Sequence, residues 1–305
     1  MTTPLNGRWP VPATAALLGE ILTWTTAGLT LRHLDLVEAL RRAGLDEAVA
    51  RELAPRHAFT RACTKLAAQR IIRQVGEDAA TVTFQFTAEH KDGDRFAYDF
   101  ETLLTLNKTT GQVSCPLPGL ATLAQEELDR CIAVRTGADL TRMVQKLFER
   151  QADLFPIREQ GGAYFTPQAH VAFVDRVQGF LGRLGGRMHR FPVPAGTAHG
   201  DMAVKDTVAS GIAALIAEHT AAIAGFGEDT RAATLEKAAE RIRLTRYKLE
   251  AYATLLSTEK GRLEQALAQA ADELRARVEA LAADTAVGTP SAPPAPCTPG
   301  LLLPA

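Results

Sequence analysis

The chain has 305 residues, 46% hydrophobic and 23% charged, which is typical of a soluble globular protein that can bury a sizeable core. Its 34 basic and 35 acidic residues leave a net charge of −1, which excludes a bulk electrostatic attraction to nucleic acids or membranes. The four cysteines are widely spaced without a Cys-x-x-Cys pair, which argues against a zinc site or a disulfide scaffold and predicts a reducing, cytoplasmic compartment. We predict no secretory leader, because the N-terminal residues lack a basic segment followed by a long apolar one. We predict no membrane span, because no uninterrupted apolar stretch reaches about 18 residues.

The larger part of the chain, residues 13–195, is predicted to form one α+β globular domain in which a small antiparallel sheet packs with helices. Residues 1–12 contain three prolines and predict an extended lead-in. Apolar side chains at helical spacing predict helices over 15–23, 31–43 and 46–53.

A basic segment over residues 56–73 is predicted to be a helix. It contains no acid, and Arg61, Lys65 and Arg73 recur on one side at helical spacing, with Arg56 at its start. Two interpretations stay open. The row is either an ordinary solvated helix face or a surface that contacts the phosphates of a nucleic acid.

Two alternating segments, 81–90 and 95–100, follow the basic segment and predict a β-hairpin with a tight turn at Asp92-Gly93. A further strand over 112–115 would complete a three-stranded meander packed on the basic helix. We expect opposing aromatic side chains across the hairpin to be buried. These are Phe84 and Phe86 on the first strand and Phe96, Tyr98 and Phe100 on the second.

Residues 120–154 are predicted to form a helical block with a break at Gly137. Short strands are predicted over 163–166 and 187–193, with a helix between them. These two strands are expected to finish the sheet that begins at Thr81. Gly161 and Gly162 stand directly before Tyr164, and the pair predicts either a tight turn or an elbow whose backbone N–H groups bind a ligand.

Residues 199–283 are predicted to form a long helical, coiled-coil-like arm, and residues 284–305, rich in Pro, Ala and Thr, a disordered tail. Apolar residues recur every seven positions along the arm and then shift by four, which is a heptad pattern with one stutter, and Gly261 beside the stutter either bends the helix or breaks it into a hairpin. These residues are Leu235, Ile242, Leu249, Leu256 and Leu263, then Leu267, Leu274 and Leu281. We therefore predict that the helix over 229–283 pairs with another helix, either within the same chain or in a second copy or a protein partner.

Motifs for enzymatic chemistry are missing from the sequence. It contains no Gly-x-Gly-x-x-Gly after a strand, no phosphate-binding Gly-x-x-x-x-Gly-Lys, no His-Glu-x-x-His and no Gly-x-Ser-x-Gly. We predict no catalytic residue, no metal site and no cofactor, and leave an enzyme of unrecognised type open as a third hypothesis.

Two short motifs carry a resemblance to a known family. Phe59-Thr-Arg-Ala62, the strands after it, and Gly161-Gly-Ala-Tyr-Phe-Thr-Pro167 before an amphipathic helix together resemble a family of uncharacterised bacteriophage and bacterial proteins. The resemblance extends over roughly residues 30–270 and includes the long helical C-terminal part. It implies a phage or mobile-element context and brings no known activity.

Two function hypotheses follow from these patterns. The leading one is a non-enzymatic interaction or assembly protein, because a heptad pattern must bury itself against another helix. The alternative is a nucleic-acid-binding protein that uses Arg56, Arg61, Lys65 and Arg73.

Overall fold

The computed structural model describes residues 16–68, 70–92, 95–158, 160–227 and 229–287. The chain divides into two compact units, Met1–Ala195 and Gly196–Ala305. Helices and antiparallel sheets make up the first unit, and a long helical segment ends the second, so the predicted α+β class is confirmed. The predicted lead-in over 1–12 and the tail over 288–305 lie outside the described residues.

The first unit alternates strands and helices. Its strands are β1 (Leu17–Thr25), β2 (Thr30–Arg32), β3 (Arg70–Glu77), β4 (Thr81–Asp92), β5 (Arg95–Asn107), β6 (Val113–Ser114), β7 (Val134–Thr136), β8 (Phe155–Pro156), β9 (Tyr164–Pro167) and β10 (Arg187–Pro194). Its helices are α1 (His33–Arg42), α2 (Pro55–Lys65), α3 (Pro118–Ala133), α4 (Gly137–Gln151) and α5 (Val171–Arg183), with 3-10 turns at Glu47–Val49 and Gln168–His170.

The first sheet has the order β10-β1-β9-β8, with β1 paired antiparallel to both β10 and β9. The helix predicted over 15–23 is therefore wrong, because this segment is the strand β1. The strands near 164 and 187 were expected in the sheet that begins at Thr81, and this too is wrong, since both pair with β1. The first sheet thus joins the two ends of the unit.

A buried ion pair explains why β1 does not look like a strand in the sequence. The inward face of β1 carries Glu20 beside Leu22, so the apolar alternation is interrupted by a charge. Arg190 on β10 donates from Nε to Glu20 Oε2 at 2.6 Å and from Nη1 to Gln178 Oε1 at 3.1 Å, and it also pairs with Asp175. Glu20 and Arg190 are each 1% exposed, and their charges are compensated only once β1 and β10 lie side by side.

The main core of the first unit lies between this sheet and α1, α4 and α5. Phe148 on α4 meets the ring of Phe173 on α5 edge-on, with centroids 5.1 Å apart, and stacks at 6.4 Å from Trp24 on β1. The amphipathic patterns of α4 and α5, which the sequence predicted, supply most of this buried surface.

A short two-stranded sheet, β2 with β7, separates α3 from α4 at the predicted break. Thr136 and Asp139 form a capping box that starts α4, with each side chain bonded to the other's backbone N–H. Gly137 lies so close to Thr26 that an added Cβ would be 1.9 Å from its carbonyl oxygen. Any larger residue at Gly137 would push these two segments apart.

The third sheet has the order β3-β4-β5-β6, with four strands where three were predicted. The helix predicted over 56–73 is wrong in its second half, because α2 ends at Lys65 and the chain continues as the strand β3. The β-branched Ile71 and Ile72 lie on β3, where pairing with β4 overrides the helical spacing of the segment. Gln69 lies outside the described residues.

One face of the third sheet packs on α2 and α3 and forms a second core. Phe59 on α2 contacts Phe84 on β4 edge-on, with ring centroids 5.6 Å apart. Two helices lie on one side of this four-stranded antiparallel sheet, and no other described helix of the first unit covers its other face.

The second unit is helical. It contains α6 (Ala198–Ala224), α7 (Ala232–Ala251), α8 (Ala253–Leu256), a 3-10 turn at Ser257–Glu259 and α9 (Lys260–Val287). The helix predicted over 229–283, for which a bend or a hairpin break at Gly261 was left open, is interrupted near Ser257, whose φ is +40°, and α9 continues beyond the predicted end at 283. Helices α6, α7 and α9 contact one another pairwise.

The heptad residues of the arm are largely buried within this second unit. Ile242 and Leu249 on α7 are 5% and 1% exposed, and Leu263 and Leu267 on α9 are each 1% exposed. The seam therefore packs among helices of the same chain. A partner of the arm would have to use its remaining surface, and such a partner stays a prediction.

Helix α6 is the one helix among the described residues that is long and apolar enough to cross a membrane. Length and composition alone are weak evidence for a membrane span, because a helix in the core of a globular bundle can be equally long and apolar. Val208, Ile212 and Ile216 of this helix are buried in the described structure.

Candidate functional site

Three of the four predicted phosphate-binding residues are paired with acids of their own chain. Arg61 on α2 makes a two-pronged pair with Asp139 on α4, with N–O distances of 2.9 and 2.7 Å. Burial raises the pKa of Asp139, but the bonds from Arg61 and Thr136 outweigh it and bring the pKa down to about 2. Arg61 therefore joins α2 to the start of α4.

Lys65 and Arg56 are paired in the same way. Lys65 Nζ lies 2.5 Å from Oε1 of Glu127 on α3, and Arg130 binds the other oxygen of that carboxylate at 2.7 Å. Burial raises the pKa of Glu127, and Lys65 and Arg130 more than offset this, so its pKa is lowered. Arg56 Nη2 lies 2.7 Å from Oε2 of Glu77 on β3.

Arg73 lies apart from these three. It is on β3 opposite Gln85, with its side chain exposed and without an ion pair among the described residues. The structure thus brings Arg56, Arg61 and Lys65 together on α2 and places Arg73 on the uncovered face of the third sheet. The four do not form one row on a helix.

The predicted glycine elbow is stabilised by contacts within the first unit. Gly161 and Gly162 both have positive φ angles, +72° and +84°, and Gly161 N–H donates to the carbonyl of Arg158 at 2.9 Å. Tyr164 stacks on Trp24 at 4.9 Å, and its hydroxyl accepts a hydrogen bond from Gln145 at 2.9 Å. Ligand binding by the elbow stays a prediction.

The uncovered face of the third sheet, which we call the open face, carries three exposed aromatic residues of β5. Phe96 is 60%, Tyr98 54% and Phe100 63% exposed. They were predicted to be buried opposite Phe84 and Phe86, and this is wrong. Large aromatic side chains grouped on one exposed surface are uncommon and indicate a binding surface.

A β-bulge turns these aromatic residues outward. Phe86 pairs with Thr102 on the core side, and the next residue of β4, Thr87, pairs with Phe100, so Glu101 is an extra residue in β5. Arg70 on β3 binds the carboxylate of Glu101 at 2.6 and 2.8 Å. Because side chains alternate between faces, one extra residue moves every earlier residue of β5 to the opposite face.

A shallow groove of about 390 Å³ lies between α7 and α9 in the second unit. Its floor is apolar and its rims carry three arginines, two on α7 and one on α9. The lining residues are Ala239, Ile242, Arg243, Arg246, Ala271, Leu274, Arg275 and Val278.

The chain matches a family of unknown function, DUF6744, over residues 17–287. It belongs to this family. No curated protein and no solved structure matches the chain. The match of DUF6744 extends over both units, so the open face and the groove both lie within the part of the chain that the family shares.

A smaller cavity in this DUF6744 chain, about 170 Å³ between α6 and α7, was not singled out from the sequence. It is lined in part by His219, Lys237 and Arg241. His219 is 7% exposed and its Nε2 lies 2.9 Å from the hydroxyl of Thr245. Burial lowers the pKa of His219, which favours the neutral imidazole.

Sequence reasoning missed both candidate surfaces for identifiable reasons. Alternation alone assigns Phe96, Tyr98 and Phe100 to the buried face, since nothing local marks Glu101 as an extra residue. The groove arginines belong to α7 and α9, and the sequence left open whether this segment bends or breaks into a hairpin, so their juxtaposition required the turn near Ser257.

Proposed function

We propose that this protein is a non-enzymatic interaction or assembly protein that docks an acidic amphipathic helix of a partner in the groove between α7 and α9. The observation that carries the proposal is the combination of an apolar floor with arginines on both rims. Helices commonly bind other proteins in this way, with an apolar face in a groove and charges at its edges.

The floor of the groove supplies apolar surface between the two helices. Ile242 and Leu274 are nearly buried at its base, while Val278 at its end is 41% exposed. Ala239 and Ala271 are small, so a visiting helix could approach the backbones of α7 and α9 closely. The floor alone would favour any apolar helix.

The rims select for acidic character. Arg243 and Arg275 have acids of their own helix, Glu240 at 2.6 Å and Asp272 at 2.9 Å, in exposed pairs that contribute little to stability. Arg246 has no ion pair among the described residues. A partner carboxylate would bind Arg246 without displacing an existing contact, so complementary charge favours an acidic helix.

We further propose that the protein acts in a bacteriophage or mobile-element context. The support is the resemblance of its Phe-x-Arg-Ala and Gly-Gly-x-Tyr-Phe-x-Pro motifs to phage and bacterial proteins. Examination of the genes beside this one in several genomes tests the idea, and neighbours drawn only from housekeeping operons would contradict it.

The groove is tested with a synthetic amphipathic peptide that carries leucines at helical spacing and glutamates at its flanks. We expect measurable binding by fluorescence anisotropy and at least tenfold weaker binding to the variant Arg246→Glu/Arg275→Glu, because two attractions become repulsions. Arg277→Glu is the matched control, since Arg277 is exposed on α9 and does not line the groove.

Two outcomes would reject the groove as a docking site. One is the absence of peptide binding at low salt up to about 100 µM protein. The other is equal weakening by Arg277→Glu, which would show a nonspecific attraction to the charge of the second unit. A peptide with glutamines in place of glutamates separates the apolar contribution from the charge contribution.

A further inference from the structure

We propose that the open face of the third sheet binds single-stranded nucleic acid, with bases stacked on Phe96, Tyr98 and Phe100. This site is in the other unit from the groove and goes beyond the proposed function. The argument rests on the spacing of the rings, the side chains between them and the charges around them.

The three rings have the spacing of a stacking platform. They occupy alternate positions of one strand on one face, so their Cα atoms are about 7 Å apart along β5. Each ring is more than half exposed, which leaves surface for a base on every one. Antiparallel sheets that bind single strands use two or three aromatic residues in this arrangement.

The side chains beside the rings are mostly polar, with Ile71 and Leu103 as apolar members of the same face. In the register of β4 and β5, Thr87 lies opposite Phe100, and Gln85 opposite Leu103. Thr83 and Thr105 continue the face with hydroxyls 3.0 Å apart. A surface built for a protein core contact would be apolar here, whereas hydroxyl and amide groups can hydrogen-bond the edges of bases.

The charges around the rings favour an anionic ligand. Lys91 on β4 pairs with Phe96, and Arg73 on β3 pairs with Gln85. Both basic side chains are exposed and have no ion pair among the described residues. Glu89, opposite Tyr98, is the acid on this part of the face. Among the described residues of this face, two cations without an ion pair stand against one acid; the cations attract a phosphate backbone, and the acid limits the affinity.

Stacking on exposed rings favours a single strand over a duplex. Strand β3 begins to pair with β4 at Ala88, so in the part of the chain that the structure describes, Tyr98 and Phe96 lie where the sheet consists of β4 and β5 alone. Stacking on rings requires unpaired bases, which a duplex does not offer. The same chemistry suits single-stranded DNA and single-stranded RNA, and the experiment separates them.

The test uses the full chain with fluorescently labelled oligothymidylate and oligouridylate of about 20 nucleotides, and a duplex of the same length. We expect at least one of the two single strands to bind at low salt, and we expect the duplex to bind more weakly. Tyr98→Ala should weaken binding about fivefold or more, and the triple variant Phe96→Ala/Tyr98→Ala/Phe100→Ala should abolish it. Tyr247→Ala is the matched control, because Tyr247 is 74% exposed in the second unit.

Charge variants supply a second measurement that does not depend on folding of the aromatic variants. Arg73→Gln should reduce the slope of log affinity against log salt by about 0.7, the value for one phosphate contact on a single strand. Glu89→Gln should tighten binding at low salt by a few fold, because it removes the acid beside Tyr98.

Three results would overturn the assignment. They are the absence of binding to either single strand at about 50 mM salt and 10 µM protein, binding that the triple variant retains, and equal binding to the duplex. Light scattering that shows a dimer for the wild type and a monomer for the triple variant, without oligonucleotide binding, would assign the face to a second copy of the chain instead. The peptide assay of the groove is unaffected by each of these results, so the two proposals fail separately.

Discussion

Arg70 on β3 holds the carboxylate of Glu101, the extra residue of β5, through two hydrogen bonds of 2.6 and 2.8 Å. The pair joins two strands that are separated by β4 in the sheet. It fixes the side chain of the bulge on the helix-facing side, and Phe100 next to it consequently faces outward. The ion pair thus lies at the bulge beyond which the aromatic residues of β5 face outward.

Loss of this pair should destabilise the third sheet. Glu101→Gln should lower the free energy of unfolding by about 1–2 kcal/mol, because Arg70 keeps its burial but loses a charged acceptor. The double variant Arg70→Leu/Glu101→Leu should recover part of the loss, since an apolar pair carries no desolvation cost. Urea denaturation of the three proteins measures both effects, and equal stability of Glu101→Gln and wild type would contradict them.

Arg61 and Arg73, which the sequence predicted on one side of a basic helix, should differ in their effect on stability. Arg61→Gln should cost about 1–3 kcal/mol, because Asp139, 11% exposed, would lose its guanidinium partner. Arg73→Gln should stay within about 0.5 kcal/mol of the wild type, since Arg73 is exposed and unpaired among the described residues. Thermal denaturation followed by circular dichroism distinguishes the two, and a larger loss for Arg73→Gln would show that this side chain is used in folding.

Low pH should destabilise the folded protein in part through protonation of Asp139. The pKa of this carboxyl is about 2 in the folded chain against an ordinary 3.8, so its contribution to stability is present above pH 3.8 and is lost as the pH falls towards 2. The shift corresponds to about 2 kcal/mol. The free energies of unfolding of wild type and Asp139→Asn, measured from pH 6 to pH 2, should therefore approach each other by that amount as the pH falls. A difference between the two proteins that does not change with pH would refute the shift.

The stability of the second unit should depend on its buried heptad residues and not on its exposed aromatic residue Tyr247. Leu249→Asp should cost at least about 3 kcal/mol, because it buries a charge where Leu249 is 1% exposed. Tyr247→Asp, two residues earlier on α7 and 74% exposed, should change stability by less than about 0.5 kcal/mol. Helicity and melting temperature provide the comparison, and a tolerated Leu249→Asp would show that the seam is not packed.

The sequence by itself determined the features that depend on local periodicity. Helical spacing placed α4 and α5, and the seven-residue repeat identified the buried side of α7 and α9. Alternation found the strand β4 and the beginning of β5, glycine pairs preceded the short strands predicted where β9 and β10 lie, and Gly137 correctly marked a break between helices. These signals are reliable because burial of one face imposes its period on the residues of that element alone.

Only the tertiary structure decided the features in which distant residues change the meaning of a local pattern. Glu20 hides the alternation of β1 until Arg190, 170 positions later, neutralises it. Lys65 ends α2 because the next segment pairs with β4, and Glu101 reverses the face of three aromatic residues through a bulge that Arg70 stabilises. Strand pairing and buried charge compensation are set by partners far along the chain, so no window of neighbouring residues contains them.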